Sequence, residues 1–181
     1  MNTHMRNFLM AGGMLMAVAA APVSATAQQK LPPVRVTETA AYADDLAIRA
    51  ESLSMYLSHF KEAAELFERS ADARGPGDAR AVTCLRSAAT LRYNSGNKRK
   101  GLNLMEKAGD RAARLGDVVI AAHAYIDAAV IASELREGAK ARDFSERAAL
   151  LAKSPLLNDS QRSALLERMT GWSVVAQVAA R

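Results

Sequence analysis

Two histidines stand near carboxylates at helical spacing: His59 with Glu62 three residues on, and His123 with Asp127 four residues on. Either spacing brings both side chains to one helix face, where imidazole and carboxylate can share a proton or begin a metal site. Neither pair has the further ligands that a metal needs. Di-iron bundles also use Glu-x-x-His, the opposite order. A surface hydrogen bond or ion pair is the reading these pairs support. Cys84 is the only cysteine, so an internal disulfide and a CxxC motif are both excluded. It falls on the apolar side of a helix and reads as a small buried hydrophobe. Lys98, Arg99 and Lys100 form the one dense charge cluster. They sit at a helix start, where positive charge opposes the macrodipole, and read as a solvated turn rather than an anion site. There is no GxSxG, no phosphate-cradling glycine loop and no HExxH. No enzyme activity, cofactor or metal is therefore expected; the expected mode of action is binding.

Composition agrees with a helical scaffold. The 181 residues carry only 5% aromatics. Alanine is plentiful, and small side chains let helices approach closely, which favours an all-α fold. The formal net charge is +5, and Arg6 is the only charged side chain before Lys30. Acids and bases alternate without long runs, so a nucleic-acid surface is not expected.

Residues 1–27 have the three parts of a secretory signal. Arg6 is the positive start, Phe8 to Ala21 an apolar run, and Ala25-Thr26-Ala27 a small-residue cleavage site after Pro22. The run is too short to span a bilayer comfortably. The style is bacterial, so a periplasmic or secreted protein without a stable membrane anchor is expected after cleavage at Ala27. Residues 28–41 contain Pro32-Pro33 and are expected to form an extended or disordered leader.

Apolar periodicity then places about seven helices. The first runs from Tyr42 to Leu57, with Leu46, Ala50, Leu53 and Leu57 on one face. Ser58-His59 turns into the second, which Gly75-Pro76-Gly77 ends. Asp78 and Asp117 are N-caps for the third and fifth helices, and residues 94–97 and 136–138 are turns. Ser154-Pro155 stops the sixth helix, and Asn158-Asp159-Ser160 starts a seventh to about Ala180. No eighth helix follows to pair with it.

The helices repeat. Ala63, Gly101 and Ala141 coincide at offsets of 38 and 40, as do Phe67, Met105 and Ser145, then Ser70, Ala108 and Ala148. Ala50, Ala88 and Ala128 align in the preceding helices. Each copy is helix, short turn, helix, and small residues at these positions allow close approach within a hairpin. The middle copy runs from Gly77 to Gly116. The pattern resembles the tetratricopeptide repeat family over residues 42–154, with 155–181 as a capping helix. Gly96 matches that family's turn glycine; Ser58 and Arg136 depart from it. The third copy has Ser145 where a bulky residue is usual, with Phe144 beside it, and the period is longer than the family's. Other paired-helix repeats and a closed bundle are the alternatives.

The resemblance implies an α-α superhelix whose concave face is lined by the first helix of each pair. Carried onto this chain, that face holds Met55 and Tyr56, then Arg86, Thr90, Tyr93 and Asn94, then His123 and Ile126. Tyrosine and methionine are adaptable grips, and arginine meets carboxylates in a forked geometry. The expected function is an exported scaffold that binds a protein or peptide partner. The alternative is a self-associating structural protein, a homo-oligomer joined through its unpaired last helix, with a small-ligand carrier or enzyme less favoured.

Overall fold

The structure is a computed structural model that describes the backbone of residues 34–179 and the side chains of residues 39–171. The expected signal segment and residues 28–33 of the leader lie outside the described residues. Seven helices follow in order: α1 (Val34–Ser54), α2 (Phe60–Ala73), α3 (Arg80–Asn94), α4 (Lys98–Arg114), α5 (Val118–Glu134), α6 (Gly138–Ala152) and α7 (Asp159–Ala179). They pack sequentially as antiparallel pairs. The extensive contacts join helices adjacent in the chain, and α7 lies across both α5 and α6. Among the described residues no helix is long and apolar enough to cross a membrane.

The aligned small residues form the core. Ala50, Ala88 and Ala128 on the first helices are fully buried, and so are Ser70, Ala108 and Ala148 on the second helices. Ser70 is the polar member of that set. Its hydroxyl donates to the Ala43 carbonyl at 2.7 Å, which satisfies the group where water cannot reach. Gly101 backs onto the α3 main chain: a Cβ there would stand 2.9 Å from the Ala89 carbonyl oxygen and 3.2 Å from the Tyr93 nitrogen. Phe144, beside Ser145, does fill the third copy. It is buried and stacks on Tyr125 with ring centroids 6.3 Å apart.

Three turns share one geometry. The amide N–H groups of Asn97, Asp117 and Glu137 donate back to the carbonyls of Arg92, Ala112 and Ala132. Each turn passes through one left-handed residue: Gly96 (φ 85), Gly116 (φ 77) and Arg136 (φ 60). This is the Schellman termination, which satisfies the orphan carbonyls at a helix end. Arg136 therefore occupies the glycine position of its turn, although its side chain type gives no such signal. Left-handed backbone costs a non-glycine residue roughly 1 kcal/mol. Arg136→Gly is expected to raise the free energy of unfolding by about that amount in a urea titration; unchanged or lower stability would show that the turn carries no such strain.

Caps set the starts of the helices. Asp117 accepts from Ile120 N at 3.0 Å, as expected. Asn97 accepts from Lys100 N at 3.3 Å. Asn158 and Gln161 exchange side-chain-to-backbone hydrogen bonds at 2.8 and 3.1 Å, a reciprocal capping box that opens α7. Asp78 does accept a free amide, that of Arg80 at 2.9 Å, and the intervening Ala79 already has helical angles, φ −62 and ψ −27, although α3 is bounded at Arg80. Its carboxylate also pairs with the Arg74 and Arg80 guanidiniums.

Two boundaries differ from expectation. The helix α1 begins at Val34 rather than Tyr42, so residues 34–41 are helical and not an extended leader. The same helix ends at Ser54, and Leu57 lies in a single 3-10 turn, Leu57–His59. Tyr56 takes extended backbone angles there, φ −120 and ψ 121. This breaks the 3.6-residue phase, so Leu57 is 81% exposed instead of joining the core face.

Candidate functional site

Five side chains on one face of α3 recur at helical spacing: Thr83, Arg86, Ser87, Thr90 and Asn94. With Glu51 and Ser54 from α1 they rim a cavity of about 520 Å3 whose apolar lining is Phe60, Phe67 and Leu91. A second cavity of about 490 Å3 meets it at Thr90 and is bounded by Tyr93, Met105, Asp127, Val130, Ile131 and Arg168. The two share Thr90, and together their linings make a grooved surface that draws on α1, α3 and α5.

Of the expected groove residues, Arg86, Thr90, Tyr93 and Asn94 line these cavities. Met55 and Tyr56 do not. They follow the end of α1, 80% and 63% exposed, and the Tyr56 ring makes a T-shaped contact with the His59 ring. Ile126, expected on the concave face, is buried in the core. The helix α5 packs on α4, α6 and α7, which leaves it little free surface.

Arg86 reaches from α3 toward α5. Its terminal nitrogen is 3.7 Å from an Asp127 carboxylate oxygen, a loose ion pair. Its Nε is sealed from solvent without a hydrogen-bond partner. Asp127 is gripped more closely by Arg168 of α7, whose guanidinium also lies 2.7 Å from His123 Nδ1. Burial pushes the Asp127 carboxyl above its usual range, against the opposing pull of Arg168 and Arg86. Burial, then Arg168 and Arg86, hold the His123 imidazole below its ordinary value, with Asp127 opposing. The expected His123–Asp127 pair is thus bridged by an arginine. Neither α5 nor its neighbours gave that arginine away in sequence, because only the fold lays α7 across α5.

Tyr93 is engaged within the chain. Its hydroxyl donates to the Glu134 carboxylate at 2.8 Å, and the Lys98 ammonium sits 5.2 Å from its ring centroid while pairing with the same carboxylate. The hydrogen bond to Glu134 is the main cause raising the Tyr93 pKa, and the Lys98 hydrogen bond lowers that of Glu134. The basic cluster is likewise absorbed: Lys98 pairs with Glu134, Arg99 with Glu137 and Lys100 with Glu68. These carboxylates belong to neighbouring helices and their turns, so the charges that oppose the α4 dipole tie it to α5, α6 and α2. His59 and Glu62 form a surface pair at 3.4 Å.

The groove therefore offers hydroxyls, an amide and a half-buried guanidinium above aromatic and aliphatic floor residues. Such a set suits holding a carboxylate or a backbone carbonyl beside an apolar side chain. Among the described residues no group of three His, Cys, Asp or Glu side chains is placed to hold a metal ion. No family model, curated protein or solved structure matches this chain. Its functional reading rests on the groove itself.

Proposed function

We propose that this chain is an exported helical-repeat scaffold of the tetratricopeptide kind, which holds a protein or peptide partner in the groove across α1, α3 and α5. The offsets of 38 and 40 between buried small residues support the repeat reading, and residues 1–27 support export. The observation that carries the binding reading is Arg86. Its guanidinium stands beside an open cavity, its Nε is buried and unpaired, and its nearest carboxylate is beyond hydrogen-bond distance. A partner carboxylate would pair with the exposed part of the guanidinium, and Thr90 and Asn94 would position the adjoining backbone.

The test is crosslinking and recovery from the native compartment, comparing wild type with Arg86→Ala combined with Asn94→Ala. Both positions lie off the core, so the fold should survive, and circular dichroism checks that it does. Recovery of a partner is expected to fall by about tenfold or more, the loss of one charge-assisted contact. Equal recovery from both chains would reject the groove assignment.

A second reading, self-association, has its own support at the other end of the array. Leu150, Leu156 and Leu166 are large apolar side chains exposed on α6, the following turn and α7. Leu166 borders a cavity of about 510 Å3 with Ala149, Ala152 and Pro155. Recovery of crosslinked products containing this chain alone would select that reading over the first.

A further inference from the structure

Among the described residues the seventh helix has no hairpin partner, and the manner of its attachment to α5 is specific. Leu165 is buried and Met169 half-buried, and between them Arg168 reaches His123 and Asp127. A guanidinium has donors only and keeps its charge throughout the accessible pH range. A 2.7 Å contact between its nitrogen and His123 Nδ1 therefore requires a lone pair on Nδ1. The imidazole must be neutral, with its proton on Nε2.

We propose that α7 is a pH-sensitive latch, docked against α5 while His123 is neutral and released when that ring is protonated. Protonation places an N–H on Nδ1 facing the N–H groups of Arg168, which removes a hydrogen bond and adds a repulsion. The surroundings offer only the partial compensation of Asp127. The charged groups facing His123 are Arg86 on α3, Arg168 on α7 and Asp127 on its own helix. Among the described residues, the other helices packed on α5, α4 and α6, contribute no charge that acts on it. Among the described residues Asp127 is the single anion acting on His123, and both arginines already draw on it. A third cation at that point would be held by nothing new.

The sign follows from linkage. The docked ring has its pKa held below the ordinary histidine value of ~6.5, so the undocked ring takes up a proton first. Docking is unaffected above about pH 6.5 and is weakened as pH falls below it. Release would open the cavity that Arg168 now bounds beside Thr90, Tyr93 and Asp127. The latch goes beyond the partner-binding reading and does not depend on it, because the state of α7 is measured directly.

The experiment is an NMR titration of the full chain from about pH 7.5 to about pH 5. It follows the His123 ring together with amide exchange in α7, corrected for intrinsic exchange rates. The His123 midpoint is expected below ~6.5, and α7 amides are expected to lose protection with that same midpoint while α4 amides keep theirs. In His123→Gln the side-chain oxygen can still accept from Arg168 and does not titrate, so α7 protection should stay flat. A His123 midpoint at or above ~6.5, or α7 protection that is unchanged across the titration, would overturn the latch. So would an equal loss of protection in His123→Gln. The wild-type titration decides alone if that variant does not fold.

Discussion

Replacing Gly101 by valine is expected to lower the free energy of unfolding by about 3 kcal/mol, a fall in Tm of roughly 6–12 °C for a chain of this size. The reason is what stands opposite. A Cβ at residue 101 would meet the Ala89 carbonyl oxygen at 2.9 Å and the Tyr93 nitrogen at 3.2 Å. Both are main-chain atoms of α3, so no side chain can rotate aside; α3 and α4 must separate. Helix propensity works the other way, because glycine is the poorer helix former, but that gain is under about 1 kcal/mol. Gly109 supplies the contrast. A Cβ there would lie 2.8 Å from a ring carbon of Tyr125, and a ring can tilt. That ring is nevertheless held by its hydroxyl bond to Asp110 at 2.6 Å and by its stack on Phe144. Gly109→Ala should therefore cost less than Gly101→Val, and urea unfolding of the two variants gives the order. Equal Tm values for Gly101→Val and wild type would remove the claim that this glycine sets the α3–α4 distance.

The second large effect is expected at Arg74. Its side chain is 3% exposed and joins α1 to the α2–α3 turn through Asp44 and Asp78; Arg80 pairs with the same two carboxylates. Arg74→Ala removes one cation from a network of two arginines and two aspartates and leaves a gap where the guanidinium packed. Breaking a fully buried pair costs about 3–5 kcal/mol. Asp44 keeps substantial solvent contact and Arg80 remains, so about 2 kcal/mol is the expected loss at pH 7.

The pH dependence tests the same network. The Arg80 hydrogen bond is the largest cause holding Asp78 down to about 2, with Arg74 adding to it, and the Arg74 hydrogen bond leads in lowering Asp44. Depressed carboxyls stabilise the fold above their unfolded value of ~3.9, and that contribution is lost as pH falls from there through the folded value. Wild type should therefore lose stability steeply from about pH 4 toward pH 2, and Arg74→Ala should lose less over the same interval. Parallel urea-stability curves for the two chains across that range would show that Arg74 is not what lowers these carboxyls.

Much of the fold was legible because its determinants repeat along the chain. Ala50, Ala88 and Ala128, with Ala63, Gly101 and Ala141, mark close helix contacts, and all six are buried. Asp117 announced a helix start, and Gly96 a stop. Where a local residue type gave the wrong message, the cause was local geometry under tertiary control. Arg136 adopts a glycine's backbone because two packed helices fix the turn between them, and Leu57 faces solvent because one 3-10 turn shifts the phase after Ser54.

The groove was only half legible. Helical spacing alone gathers Arg86, Thr90, Tyr93 and Asn94 on one side of α3. Their partners lie far along the chain: Glu134 for Tyr93, Asp127 for Arg86, and Arg168 for Asp127 and His123. Such pairings have no signature in spacing, because they join residues about 40 positions apart on different helices. Periodicity and small-residue alignment by themselves determined the helices from α2 onward, their pairing and the buried small residues, since each depends on contacts within a hairpin or between adjacent ones. Only the tertiary structure decided which groove side chains are already spent on one another and which, like Arg86, keep donors to spare. That outcome depends on where α7 comes to rest across α5, a packing choice made between elements that share no repeat.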